Sequence, residues 1–67
     1  DRVGKSMGFV LVRREMATDV LLRLSYLERF DNTGLRWTFL FYKVRDVWKF
    51  QSLACDDDLT KLFPGAN

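Results

Sequence analysis

Leu35-Arg36-Trp37-Thr38-Phe39-Leu40-Phe41-Tyr42-Lys43-Val44-Arg45-Asp46-Val47-Trp48-Lys49-Phe50 is the stretch that decides the fold of this chain. It holds both tryptophans, and Phe39, Phe41 and Phe50 recur with them at alternate positions. Aromatic residues spaced two apart read as strand, because side chains of a strand point alternately to its two faces. A tight turn at Val44-Arg45-Asp46-Val47 makes the stretch a β-hairpin.

The other elements are laid around that hairpin. Residues 6–15 (SMGFVLVRRE) read as a first strand, with Gly8 as a weak point or bulge. Met16-Ala17-Thr18-Asp19 is a turn. Residues 20–30 (VLLRLSYLERF) fit a helical stripe as well as a strand, through Leu21, Leu22, Leu24 and Leu27. The strand reading is taken because Asp31-Asn32-Thr33-Gly34, a strong turn signal, leads straight into the aromatic hairpin. Asp56-Asp57-Asp58 then opens a short helix over 59–63, stopped by Pro64-Gly65. Residues 1–5 are polar and expected to fray.

Two-residue hairpins set a register. They place Phe30 opposite Leu35, Tyr26 opposite Phe39, Leu24 opposite Phe41, Lys43 opposite Trp48 and Phe41 opposite Phe50. A first turn at Ala17-Thr18 puts Phe9 opposite Tyr26 and Leu11 opposite Leu24. In this register Met7, Phe9, Leu11, Leu22, Leu24, Tyr26, Phe30, Leu35, Trp37, Phe39, Phe41, Trp48, Phe50 and Ala54 share one face, and a slip by one residue would scatter them. The expected fold class is α+β: a curved four-stranded antiparallel meander with a short carboxy-terminal helix. The opposite face is mixed: Arg23, Ser25, Arg29, Arg36, Thr38, Tyr42, Lys49 and Gln51, with Val10, Val12, Leu27, Leu40 and Leu53 between them.

The apolar face needs a cover. Four strands about 4.8 Å apart, each with about seven residues at about 3.3 Å, make a face on the order of 450 Å² in plan. That equals the largest patch expected on a monomer. A five-residue helix, under ~10 Å long, does not hide it. The cover is either a second copy, making a homo-oligomer, or a helical segment ahead of Asp1. The chain is one domain over residues 1–67, or a piece of a longer one, since it starts at Asp rather than Met.

Composition narrows the chemistry. The 67 residues carry 11 basic and 9 acidic side chains, net +2, and no histidine. Ten of the basic and six of the acidic ones precede Asp56, net +4 there; one basic and three acidic ones lie from Asp56 onward, net −2. One cysteine, Cys55, allows no internal disulfide, and without histidine the usual zinc sets and triads are excluded. No metal, cofactor or catalytic residue is expected, so the chain reads as a non-enzyme. No apolar run approaches the ~20 residues of a membrane helix.

From Leu35 to Lys43, with Trp48, Asp56-Asp57-Asp58 and Leu62-Phe63, the sequence resembles the carboxy-terminal half of a nuclear transport factor two-like (cystatin-like) α+β domain, as found in uncharacterised bacterial families. The resemblance covers about residues 4–63. It implies a curved sheet wrapped around amino-terminal helices, which these residues do not contain, and a cone-shaped pocket between them. Val44 stands where that family usually has proline, and the Asp–His pair of its enzymatic branches has no counterpart here.

Four site readings follow. Tyr26, Trp37, Phe39, Phe41, Trp48 and Phe50 form an oligomer contact, or line a small-ligand pocket. Arg23, Arg29, Arg36 and Lys49, with Tyr42 for stacking, offer an anion or nucleic-acid surface, against the plainer reading of a solvated basic face. In the expected register Arg29 and Arg36 lie opposite one another, a repulsion an anion would relieve. The Asp56–Asp58 triplet caps the following helix, in preference to binding a hard cation. Cys55, beside three aspartates, is a poor nucleophile.

Overall fold

The computed structural model describes residues 4–64. They form four strands, β1 (Ser6–Thr18), β2 (Leu21–Phe30), β3 (Gly34–Val44) and β4 (Val47–Asp56), followed by a 3₁₀ turn, η1 (Leu59–Leu62). The strands make one antiparallel sheet in the order β1-β2-β3-β4, so the meander and the strand reading of 20–30 hold. The helix expected over 59–63 is a single 3₁₀ turn, and no α-helix occurs among the described residues. Four residues are too few to offset the nucleation cost of an α-helix. Gly65 and residues 1–3 lie outside the described residues.

Two registers differ from expectation. β2 and β3 pair Tyr26 with Trp37, Leu24 with Phe39 and Leu22 with Phe41. The connection is the three-residue Asp31–Thr33, closed by Phe30 N–H donating to the Thr33 carbonyl at 3.0 Å. The slip is two residues, so every side chain keeps its face. It separates the two arginines: Arg29 lies opposite Gly34 and Arg36 opposite Leu27. Between β1 and β2 the turn is Asp19-Val20, because β1 runs on to Thr18, whose Oγ1 accepts Val20 N–H at 3.0 Å. Phe9 therefore pairs with Glu28 and Leu11 with Tyr26.

Bulges correct the face assignments. β1 shifts register between Ser6 and Phe9, between Leu11 and Arg13 and between Met16 and Thr18. Gly8, at φ 103°, sits in the first of these, and Met7 drops out of the paired ladder with it. The second turns Arg13 and Glu15 away and brings Arg14 and Met16 onto the aromatic face, opposite Leu24 and Leu22. On β4, Trp48 and Phe50 pair as expected with Lys43 and Phe41, but Gln51 is bulged. Beyond it Leu53 faces Phe39 and Cys55 faces Trp37, while Ala54 crosses to the other face opposite Thr38.

The carboxy-terminal segment lies on the mixed face. Leu59, Leu62 and Phe63 meet Val12 and Leu27 around a shallow groove, and the Arg13 guanidinium donates to the Leu62 carbonyl at 2.7 Å. Gly34 makes room: a Cβ there would lie 2.9 Å from Leu27 Cδ1 and 3.0 Å from Leu59 Cδ1. Among the described residues the other face has no second layer. The molecule measures 42 × 25 × 15 Å. Leu62, at 7% exposure, is the only buried apolar side chain among the described residues. Domains normally bury their apolar faces between two packed layers; here one layer stands alone.

Candidate functional site

The bare face is an aromatic pavement. Tyr26 and Phe39 meet edge-on with ring centres 5.7 Å apart, and Trp37 stacks beside Phe39 at 6.4 Å. Phe9 abuts both Tyr26 and Trp37 at 6.5 Å. Phe41 meets Phe50 at 6.0 Å, and Lys43 Nζ lies 5.6 Å from the Trp48 ring centre. The structure thus brings Tyr26, Trp37, Phe39, Phe41, Trp48 and Phe50 onto one surface. Phe9, Leu24, Tyr26, Phe39 and Phe41 enclose an open depression of about 450 Å³.

Sequence reasoning missed one member. Glu28 lies on the aromatic face at 9% exposure, opposite both Phe9 and Leu35. Its Oε1 accepts from Trp37 Nε1–H at 2.9 Å and its Oε2 from Ser6 Oγ–H at 2.7 Å. The signal was available: Glu28 continues the even-numbered series Leu22, Leu24, Tyr26. Two neutral donors hold this carboxylate, and no cation pairs with it among the described residues.

Two of the four candidate basic residues are ion-paired. Arg23 pairs with Glu15 at 2.8 Å, Arg36 forms a two-pronged pair with Asp56, and Lys49 lies opposite Tyr42. Arg29 is exposed near the β2–β3 turn. The acidic triplet behaves as a cap. Asp58 Oδ1 accepts from Thr60 N–H at 3.3 Å and from Thr60 Oγ–H at 2.5 Å, and Asp56 Oδ1 accepts from Asp58 N–H at 3.1 Å. Burial, and then the nearby Asp56 and Glu28 carboxylates, push the Cys55 thiol up, which keeps it protonated and unreactive near neutrality.

The hydrogen bond from Arg36 holds the Asp56 carboxyl below the usual carboxylate range. A depressed folded-state pKa stabilises the fold at pH above the unfolded value, about 3.9. That contribution is lost as pH falls through the folded value. Arg36 stays charged throughout. Asp56→Asn should therefore flatten the steepest acid part of the stability curve, and a carboxyl NMR titration should place Asp56 below an ordinary aspartate. An unshifted Asp56 titration would refute the pairing.

No protein-family model, curated protein or solved structure matches the chain. No helix among the described residues is long and apolar enough to cross a membrane.

Proposed function

We propose that this chain is a non-enzymatic assembly module whose aromatic sheet face is covered by a second copy. The observation that carries this is that, among the described residues, a single apolar side chain is buried while a sheet face of large apolar side chains is exposed. Phe9, Leu11, Met16, Trp48, Phe50 and Leu53 are all on that face and each 37–59% exposed. At roughly 200 Å² per large side chain they present on the order of 600 Å². With the half-buried rings between them, this approaches the ~800 Å² per partner of a standard stable interface. Trp37, Phe39, Phe41 and Trp48 are the anchors, because buried aromatics dominate interface energetics.

The open depression favours a second reading. The antiparallel sheet and the Leu35–Lys43 motif support a nuclear transport factor two-like domain, in which a helical cover would turn the depression into a small-ligand pocket. Light scattering on the purified chain separates the two. A mass of two chains supports assembly. A folded monomer overturns it, and an apolar molecule in denaturing mass spectra of that monomer would establish the pocket.

A further inference from the structure

We infer that the two copies pair across a two-fold axis perpendicular to the strands, so that Glu28 of each meets Lys43 of the other. This rests on the assembly reading above and adds the orientation. Among the described residues the strands carry three charges on the aromatic face: Arg14, Glu28 and Lys43. Glu28 and Lys43 mark opposite ends. Glu28 pairs with Leu35, eight residues before Lys43 on β3, a separation of about 26 Å along the strand. Midway between them the Leu24–Phe39 pair is flanked by Arg14 and Leu53.

Covering the face withdraws Glu28 from what water it still touches. A carboxylate buried without a cation is strongly unfavourable, and among the described residues only Trp37 and Ser6 donate to it. The occupant must therefore bring a positive group to that end. A second copy can do so in one of its two simple orientations. An axis along the strands stacks Glu28 on Glu28 and Lys43 on Lys43, and like charges in contact are disfavoured. An axis across the strands, over Leu24 and Phe39, turns the partner end for end and keeps β2 above β2. Glu28 then lies above the partner's Val20 region. Lys43 N–H donates to the Val20 carbonyl at 2.8 Å, so Lys43 is one strand, about 4.8 Å, to the side. Its four-carbon stem spans that step. Lys43 is free to do so, since it has the Trp48 ring and no carboxylate among the described residues. Arg14, on exposed β1, meets its own counterpart at the rim, where long side chains splay into water.

A charge cycle read by dimer dissociation constant tests the pairing. Lys43→Glu should weaken the dimer on the order of tenfold through two symmetric contacts. Glu28→Gln, which keeps an acceptor for Trp37, should recover most of that loss in the Lys43→Glu background. If Lys43→Glu fails to fold, Lys43→Met replaces it; its smaller weakening should vanish beside Glu28→Gln. Arg14→Glu should change little. A dimer insensitive to Lys43, or one in which Glu28 couples to Arg14 instead, overturns this orientation and leaves assembly intact. A monomeric wild type overturns the assembly reading itself.

Discussion

Phe39→Asp is expected to abolish assembly, raising the dimer dissociation constant by a thousandfold or more. Phe39 sits at the centre of the face, edge-on to Tyr26 and stacked beside Trp37, and the proposed axis passes over it. Removing a buried phenyl group costs about 3–5 kcal/mol, and the two-fold doubles every loss. The introduced carboxylate adds a desolvation penalty. Because the separated sheet buries so little, the variant should also lose its folded near-ultraviolet signal. Ser52→Asp is the matched control. Ser52 is exposed, lies opposite Leu40 on the other face, and should leave assembly within threefold. Sedimentation of both variants decides the matter, and a dimeric Phe39→Asp protein would remove the aromatic face from the interface.

The melting temperature should fall by about 5 °C for each tenfold dilution, because the proposed pairing makes unfolding and dissociation one event. A small domain is marginal even with a full core, and Leu62 alone is far less than that. Tenfold dilution shifts a dimer's balance by about 1.4 kcal/mol. Spread over the unfolding entropy of two chains, that gives the stated shift. Calorimetry or circular dichroism over three decades of concentration measures it. A concentration-independent midpoint would show that the sheet stands without its twin.

The strands, their order and the aromatic face were legible in the sequence, and the pairing within two hairpins was not. Period-two alternation reports which face a side chain takes. It is blind to a slip of two, which is why Tyr26 was matched to Phe39 rather than Trp37 with no change of face. Bulges are different, since one extra residue inverts everything beyond it. Gly8 gave warning of its bulge. Val12 and Gln51 gave none, because ordinary residues adopt such irregularities wherever neighbouring strands need extra twist. Leu53 and Ala54 changed places for that reason. Among the site residues, the six aromatic positions followed from alternation alone. The carboxylate at Glu28 was overlooked because its charge disguised its place in an apolar series. The pairing of Arg36 with Asp56 depends on the β4 bulge, which brings them opposite one another.

Each ladder joins strands that are neighbours in sequence, through connections of only two or three residues. Loop closures this short take well under a microsecond, and hairpins follow within microseconds. On the proposed pairing of two copies, the slow event in acquiring the native state is the meeting of two chains, so refolding should follow second-order kinetics, with a half-time inversely proportional to the amount of chain present.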